Sequence, residues 1–388
     1  MTKLYDMVVI GAGIHGAGIA QAAAACGFSV LVLEKSQVAA GTSSRSSKLI
    51  HGGLRYLESG QISLVRECLR ERAILCQIAP DLVQLSSFFI PVYKTTRRHR
   101  WQLHAGLGLY SLLAGLGPDS RYRTLPRCQW QHLDGLQTHD LLAVFEYKDG
   151  QTDDRLLTRA VMQSAQELGV ELCLPARFQG AVTASEYSDI SYEVAGQERY
   201  CRARVLVNAA GPWVNQVLQQ VQPAMSPFAV DLVQGCHIIV PESLQRGVYY
   251  MEAPRDMRAV FAIPWKQQTL VGTTETPFSA DTDTVHTLPE EVTYLQETLL
   301  HYFPDADTSV LESFAGLRVL PSGDGTAFHK PRETVLYLDN PHSPRVVHVI
   351  GGKLTAYRAT SQKVLHKLLP SLPTARCVAD TRELKLRV

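Results

Sequence analysis

The order of apolar and polar positions predicts a βαβ unit at the start of the chain. The apolar run Val8–Ile10 is rich in β-branched residues and ends in Gly11-Ala12-Gly13, and residues 19–26 then have the small, apolar composition of a buried helix. A second apolar run at 29–33 predicts another strand, which ends at Glu34. Strand, glycine loop, helix and strand in this order are typical of a Rossmann-type unit.

The rest of the chain mixes helical spacing with short strand-like runs. Helical spacing predicts amphipathic helices at 61–79, 153–169 and 289–302, and apolar runs predict strands at 170–174, 205–210 and 346–350. Between 228 and 275 the β-like runs cluster, which predicts a sheet separate from the parallel nucleotide-binding layer. These runs are 228–232, 236–240, 248–250, 259–263 and 269–272.

Composition limits the class of protein. A chain of 388 residues with 45% apolar residues can build two packed domains, and a net charge of +1 gives no overall attraction to nucleic acid. Its eight cysteines include no C-x-x-C pair and no metal-like cluster, so we expect no metal site and buried, reduced, inert thiols in the cytoplasm. No apolar run reaches the roughly 20 residues that a membrane-spanning helix needs.

The first glycine loop has the spacing of a dinucleotide-binding fingerprint. Gly11 permits the tight turn, Gly13 lets backbone amides approach a pyrophosphate, and Gly16 permits close packing of helix and strand. Glu34 lies 18 residues beyond Gly16, where a carboxylate can accept hydrogen bonds from a ribose diol. A structural turn that binds nothing is the alternative, and the fingerprint alone does not separate NAD from FAD.

Two polar segments follow the second strand. Residues 41–48, here called the serine loop, combine glycine with small hydroxyl residues, and this composition favours local turns. Residues 51–55 place His51 before Gly52-Gly53 and Arg55 after it. Taken alone, these segments are typical of a solvated linker and a tight turn, but their place after a nucleotide-binding strand makes them candidate cofactor contacts.

Together the glycine fingerprint and these segments resemble the FAD-dependent glycerol-3-phosphate dehydrogenases, within the D-amino-acid-oxidase-like flavoproteins. The resemblance continues through about residue 365. It implies FAD as cofactor and an α/β fold in which a Rossmann-like FAD-binding domain is interleaved with an antiparallel β-sheet substrate domain. The blocks that carry it are Thr42-Ser43-Ser44, 46–50, 51–58, 205–213, 235–238, 261–265, 272–274 and 351–358.

The resemblance divides the chain between the two domains. The FAD-binding domain is expected at 1–90, 151–215 and 331–370, the substrate domain at 91–150 (a cap segment) and 216–330, and an irregular tail at 371–388.

It also assigns roles to individual residues. The expected catalytic residues are His51, Arg55, Arg318 and Lys353, and the expected substrate-binding residues are Arg55, Tyr56, Arg318 and Arg332. The expected FAD contacts are Gly11, Gly13, Ile14, Gly16, Glu34, Lys35, Thr42, Ser43, Ser44, Ser47, Leu49, His51, Gly52, Ala210, Gly211, Trp213, Gly352, Lys353, Leu354 and Thr355.

The implied reaction is oxidation of sn-glycerol 3-phosphate to dihydroxyacetone phosphate. The flavin accepts the hydride, His51 is the candidate base, and arginine matches the geometry of phosphate oxygens. Arg318 and Lys353 can also stabilise negative charge on the alkoxide or the reduced flavin. A histidine that only hydrogen-bonds the flavin is the alternative for His51.

The basic and apolar segment 97–113 is a candidate contact with a membrane. Arg97, Arg98 and Arg100 precede Trp101 and a run of leucines, as in an interfacial helix, and a buried helix of the substrate domain is the alternative. The expected partners are a small phosphorylated substrate and a quinone or similar electron acceptor. The expected location is the cytoplasm, with this segment on the inner face of the cytoplasmic membrane.

Three departures from the family pattern leave other functions open. Val319 stands where relatives usually have proline, Gln234 stands where a basic residue is common, and the sequence stops at Val388 without the C-terminal helical domain of the long enzymes. The alternatives are oxidation of another anionic 2-hydroxy acid or of an amine, and a flavin-binding electron-transfer subunit without turnover. An NAD-dependent dehydrogenase fits less well, because the sequence has no second nucleotide fingerprint.

Overall fold

A computed structural model describes residues 2–241, 243–322 and 334–387. Its helices are α1 (Ile14–Ala25), α2 (Ile62–Ile78), α3 (Arg100–Leu113), α4 (Asp154–Glu167), α5 (Val214–Gln219), α6 (Pro289–Tyr302) and α7 (Tyr357–Leu368). Its strands are β1 (Leu4–Ile10), β2 (Val30–Leu33), β3 (Leu49–Ile50), β4 (Val83–Tyr93), β5 (Arg123–Thr124), β6 (Leu141–Thr152), β7 (Glu171–Cys173), β8 (Arg177–Thr183), β9 (Ser188–Val194), β10 (Gln197–Asn208), β11 (Val221–Gln222), β12 (Val230–Val240), β13 (Val248–Glu252), β14 (Ala259–Trp265), β15 (Gln268–Gly272), β16 (Thr276–Phe278), β17 (Glu312–Pro321), β18 (Val335–Leu338) and β19 (Val346–Ile350).

The first sheet has a Rossmann-type parallel core. Strands β7, β2, β1, β10 and β19 pair in parallel in that order, and β8 and β9 extend the sheet as an antiparallel meander beside β10. Helix α1 is buried on nearly every side because it packs against α4, α7 and this sheet. Its small alanine and glycine residues permit that close packing, so the predicted Rossmann-type βαβ unit is confirmed.

The second sheet is built mainly of antiparallel strands. Its order is β16-β12-β15-β14-β13-β4-β6-β3, with β17 on β12 and β5 on β6. The pair β13–β4 is parallel, and every other pair recorded among the described residues of this sheet is antiparallel. The predicted α/β architecture with a second β-rich layer is confirmed, whereas the domain boundaries stay predictions.

Several local expectations need correction. The predicted runs 228–232 and 236–240 form one strand, β12, because Gly235 continues the pairing with β17 and does not interrupt it. Arg318 lies inside β17. Of the eight cysteines expected to be buried, only Cys68, Cys201 and Cys236 are; Cys26, Cys76 and Cys173 are partly buried, and Cys128 and Cys377 are exposed. No helix among the described residues is long and apolar enough to cross a membrane.

Candidate active site

The glycine loop after β1 forms one wall of a cavity of about 730 Å³. Gly11 has a φ of +99°, and a Cβ there would lie 2.7 Å from the Ala209 carbonyl oxygen. A Cβ on Gly16 would lie 1.9 Å from the Gly11 carbonyl oxygen. Both positions therefore require glycine, and Gly16 has the packing role that its spacing predicts.

Polar groups at the ends of β1 and β2 are fixed by hydrogen bonds. The buried Glu34 carboxylate accepts from the backbone N–H of Ala12 at 2.8 Å and of Ser36 at 2.8 Å. The N–H of Ile14, in the first turn of α1, donates to Ser43 Oγ at 2.9 Å. The serine loop is thus attached to the N-terminus of α1, where the helix dipole favours an anion.

A buried ion pair fixes the other end of the serine loop. Asp154, at the start of α4, accepts from Ser46 N at 2.9 Å, Ser46 Oγ at 2.7 Å and Lys48 Nζ at 2.5 Å. Lys48 Nζ also donates to the Ser44 carbonyl oxygen at 2.7 Å. Both charged side chains are almost fully buried, so the loop has a defined conformation.

A second cavity of about 530 Å³ adjoins the first. Among the described residues its walls carry seven lysine and arginine side chains against three aspartate and glutamate side chains, which favours an anionic ligand. The positive residues are Arg45, Arg55, Arg97, Arg98, Arg258, Arg318 and Lys353, and the negative residues are Glu58, Asp149 and Glu275. Both cavities are lined by Thr42, Arg45, Ser46, Tyr56, Arg318, Lys353 and Leu354.

The Arg318 guanidinium is oriented by two neighbours. Nη1 donates to Glu275 Oε1 at 2.8 Å and Nη2 donates to the Thr274 carbonyl oxygen at 2.8 Å. A Cβ on Gly235, on the adjacent strand β12, would lie 3.3 Å from Arg318 Nη2 and 2.5 Å from Thr273 Oγ1. Glycine at this position therefore leaves room for the arginine.

Tyr56 lies between two cationic groups. Lys353 Nζ is 3.6 Å from the centre of the Tyr56 ring, and Arg55 Cζ is 5.2 Å from it, both within the range of a cation–π interaction. Burial lowers the pKa of Arg55, but Tyr56 and the nearby Glu275 and Tyr250 outweigh burial and raise it. Arg55 therefore remains charged.

Direct hydrogen bonds join His51 to the loop before α7. The backbone N–H of His51 donates to Thr355 Oγ1 at 3.1 Å, and this hydroxyl donates to the His51 carbonyl oxygen at 3.3 Å. The contact joins positions 304 apart in sequence. His51 and Lys353 both line the smaller cavity.

The structure also places the predicted FAD contacts. Gly16, Ser44 and Gly52 lie behind the cavity walls, where Gly52 N donates to Tyr110 Oη at 2.9 Å. Arg332 lies outside the described residues. The predicted contacts that line one or both cavities are Gly11, Gly13, Ile14, Glu34, Lys35, Thr42, Ser43, Ser47, Leu49, His51, Ala210, Gly211, Trp213, Gly352, Lys353, Leu354 and Thr355.

Two histidines in the cavity walls were not predicted. His237 Nε2 is 2.9 Å from Ser47 Oγ, and its ring stacks on Phe314 at 5.0 Å. Burial, together with Lys48 and Arg318, lowers the pKa of His237 to about 3, and burial lowers the pKa of His15 to about 4. Both are therefore neutral near pH 7. In the sequence, His237 was indicated only by the family resemblance of the triplet Gly235-Cys236-His237, and nothing indicated His15.

The departures from the family pattern lie in different places. Gln234 is buried away from both cavities, where its amide donates to Glu291 Oε2 at 2.7 Å and to the His286 carbonyl oxygen at 3.0 Å. Val319 lines the larger cavity. The change at 234 therefore leaves the described cavity walls intact.

The residues of the larger cavity fit an ADP-containing cofactor. Its volume is within the usual range of cofactor sites, and it contains the glycine loop, the α1 N-terminus and the Glu34 carboxylate. The His15 Nδ1 atom is buried in the same wall, with no hydrogen-bond partner among the described residues. A polar ligand can therefore satisfy this atom.

Comparison with known proteins agrees with this geometry. A family model described as FAD dependent oxidoreductase matches residues 6–358. The chain is 36% identical over 379 residues to a glycerol-3-phosphate dehydrogenase of Pseudomonas aeruginosa, covering 95% of this chain and 72% of that protein. It is 35% identical over 382 residues to a D-erythritol 1-phosphate dehydrogenase of Brucella abortus, covering 95% of this chain and 74% of that protein.

A solved structure shares the fold. The glycerol-3-phosphate dehydrogenase of Bacillus halodurans, complexed with FAD, aligns with a TM-score of 0.77 at 25% identity, covering 99% of this chain and 68% of that one. The matched family model spans nearly the whole chain, and the relatives share about a third of its residues. The chain therefore belongs to the FAD-dependent oxidoreductases, in the branch that contains the glycerol-3-phosphate dehydrogenases.

Proposed function

We propose that the protein oxidises sn-glycerol 3-phosphate to dihydroxyacetone phosphate with FAD and passes the electrons to a quinone. The observation that carries the proposal is the group Arg55, Arg318 and Lys353 in a cationic cavity that shares a wall with the cofactor-sized cavity. The similarity to glycerol-3-phosphate dehydrogenases supports the substrate class. Bound FAD supplies the hydride acceptor.

Phosphate binding is assigned to Arg318 and Arg55. A planar guanidinium presents parallel donors that match two phosphate oxygens, and the bonds to Glu275 and Thr274 hold the Arg318 fork in one orientation. A substrate held in one orientation reacts faster, because the reacting C–H then stays aligned with the acceptor. Arg332 is a further expected phosphate contact.

Proton removal is assigned to His51. Oxidation of a secondary alcohol releases a hydride from carbon and a proton from the hydroxyl, and an imidazole can accept that proton near neutral pH. Thr355 holds the His51 backbone through two hydrogen bonds. Lys353 and Arg318 stabilise the developing alkoxide by their fixed positive charge.

The proposed quinone site is the apolar part of the smaller cavity. Its apolar lining residues include Leu54, Leu57, Phe88, Ile90, Leu103 and Leu107, the last two on helix α3. An apolar wall of this kind suits a hydrophobic quinone ring better than a phosphorylated alcohol.

Peripheral contact with the inner face of the cytoplasmic membrane is proposed for the outer face of α3. Trp101 is 68% exposed and Leu112 is 59% exposed, and the exposed Leu109 and Leu116 lie nearby in sequence. Arg100 begins the helix, so cationic and apolar groups occur together as in interfacial helices. Leu103 and Leu107 on the opposite face are buried, so the alternative of a buried helix holds for that face.

The decisive experiment is anaerobic mixing of the purified flavoprotein with candidate substrates while the flavin absorbance is followed. We expect bleaching with sn-glycerol 3-phosphate and none with glycerol, which lacks the phosphate. The Brucella relative makes D-erythritol 1-phosphate the second candidate substrate. Faster bleaching with D-erythritol 1-phosphate would identify it as the substrate in place of sn-glycerol 3-phosphate. Bleaching only with an amine or a carboxylic 2-hydroxy acid would overturn the proposal.

The acceptor and the membrane contact have separate tests. Faster turnover with a quinone analogue than with oxygen is expected, and the reverse order would identify an oxidase. Co-sedimentation with anionic lipid vesicles should fall in Trp101→Ser, while Val182→Ser, an exposed apolar position on strand β8 of the first sheet, serves as the control. Equal sedimentation of the two variants would refute the assigned contact face.

A further inference from the structure

Two cysteines that are distant in sequence are in contact behind helix α1. Cys26 directly follows α1 and Cys377 lies in the segment after α7, and their Sγ atoms are 3.1 Å apart although the residues are 351 positions apart. A disulfide bond is about 2.05 Å long. The two sulfur atoms therefore need to approach each other by only about 1 Å to bond.

The backbone on both sides of the pair is held in register. The N–H groups of Val378 and Ala379 donate to the Ala25 carbonyl oxygen at 2.8 and 3.1 Å. Gly27 has a φ of +84°, and a Cβ there would lie 2.6 Å from the Arg376 carbonyl oxygen. Contacts 25–378, 26–377 and 27–376 follow one another as in an antiparallel pair, in which opposed Cα atoms lie at distances that suit a disulfide.

The two thiols differ in exposure. Cys377 is exposed, whereas Cys26 is partly buried, and burial together with the hydrogen bond from Cys377 raises the pKa of Cys26 to about 11. Since the thiolate is the nucleophile, the exposed Cys377 is the thiol that meets an external oxidant first. Cys26 then lies within reach as the second, resolving thiol.

We propose that Cys26 and Cys377 form a reversible disulfide, with a small-molecule disulfide of the glutathione class as the oxidant. The Cys377 thiolate attacks one sulfur of the oxidant, breaks its S–S bond and releases one small thiolate. Cys26 loses its proton and attacks the Cys377 sulfur, which releases the second small thiolate. The two cysteines lose two electrons and two protons, and the oxidant is reduced to two thiols.

The tethered segment covers buried groups next to the cofactor-binding helix. Arg358 of α7 donates to Glu71 of α2 at 2.8 and 2.6 Å and to Thr381 of the segment at 3.3 Å. Leu386 is buried, and its N–H donates to the Ile78 carbonyl oxygen at 2.8 Å. A covalent bond at Cys377 therefore holds the segment over an ion pair that joins two helices.

The proposal is tested by adding oxidised glutathione to the FAD-loaded protein after its cysteine thiols have been reduced. We expect the loss of two titratable thiols, and a Cys26–Cys377 peptide in the non-reducing digest that disappears on reduction. In Cys26→Ser we expect glutathione to remain attached to Cys377, because the resolving thiol is missing. Cys128→Ser, which removes the exposed thiol elsewhere, should still form the bond. Stable glutathione on Cys377 of the unaltered chain would overturn the proposal.

Thermal stability is a second, independent measurement. A bond that closes so long a loop restricts the unfolded chain, so the oxidised protein should melt about 5 °C or more above the reduced protein at one scan rate. Cys377→Ser should show no difference between the two conditions. Equal melting temperatures of oxidised and reduced unaltered chain would contradict the tether. Neither measurement uses a substrate, so the proposed function can fail without affecting this result.

Discussion

Replacing Asp154 by asparagine tests whether one buried carboxylate orders the serine loop. The change keeps the size of the side chain but removes its negative charge. The Lys48 ammonium, which is 6% exposed and 2.5 Å from Asp154 Oδ1, would then lose its counter-ion in a buried site. The bonds from Ser46 N and Ser46 Oγ to Oδ2 would also weaken, because a neutral amide is a poorer acceptor.

The expected magnitude follows from the burial of the pair. Removing one partner of a buried ion pair costs about 3–5 kcal/mol, because the remaining charge is uncompensated. We expect the free energy of unfolding to fall by that amount. Since every 1.4 kcal/mol is a factor of ten, the FAD dissociation constant should rise by up to roughly 10²–10⁴ if the loop is disordered in the variant. The double variant Asp154→Leu/Lys48→Met should recover the part of the loss that comes from the unpaired charge, because it removes both charges.

Urea unfolding and equilibrium dialysis of FAD provide the two measurements. The matched control is the neighbouring Asp153→Ala, since Asp153 caps α4 by accepting from the N–H groups of Arg155 and Leu156. Losing that cap should cost about 1 kcal/mol and leave FAD binding unchanged. If Asp154→Asn costs no more than the control and retains FAD, the loop is not held by this carboxylate.

Three further predictions concern the arginine, the glycine loop and the buried histidines. Arg318→Lys loses the planar guanidinium that Glu275 and Thr274 hold in one orientation. Flavin reduction by sn-glycerol 3-phosphate should therefore slow by about 10²-fold, with the flavin content unchanged. An unaltered stopped-flow rate would show that Arg318 does not bind the phosphate. Gly16→Ala would place a Cβ 1.9 Å from the Gly11 carbonyl oxygen, so the ratio of flavin to protein absorbance should drop sharply. The control Gly108→Ala, where a Cβ on α3 would meet open space, should retain flavin. Burial lowers the pKa of His15 and of His348 to about 4, and burial together with Lys48 and Arg318 lowers the pKa of His237 to about 3. Below about pH 6.5 the unfolded chain therefore binds more protons than the folded one. Stability should therefore fall from pH 6.5 toward pH 4, by about 2 kcal/mol for each histidine at pH 5, and His348→Gln should reduce the drop in denaturant titrations; an equal drop in that variant would contradict the assignment.

The elements that could be predicted are those specified by local sequence. Helix α6 lies at the expected residues because Pro289 begins an amphipathic run with glutamates in its first turn. The glycine fingerprint was informative for the same reason, since its glycines and Glu34 act within one short unit. Strands β4 and β6 were missed because each joins a short apolar run to a polar stretch, and Pro91 interrupts the apolar run of the first.

The contacts that arrange the candidate site are not local. Arg318 meets Glu275 across 43 positions, and Ser47 meets His237 across 190. Nothing in the sequence around Glu275 distinguishes it from a surface residue. Ser47 was expected to contact FAD, but its partner His237 could not be read from any periodicity. Family resemblance supplied the arginine and His51, whereas the partners that orient them required the folded chain.

The shared wall between the two cavities has a consequence for how active protein accumulates. Thr42, Tyr56, Arg318 and Lys353 border both spaces, so an occupant of the larger one completes the surface against which an occupant of the smaller one rests. Binding in the two cavities is then thermodynamically coupled. The factor by which bound flavin raises the affinity for substrate equals the factor by which bound substrate raises the affinity for flavin. A shortage of either flavin or substrate would accordingly lower the occupancy of both cavities.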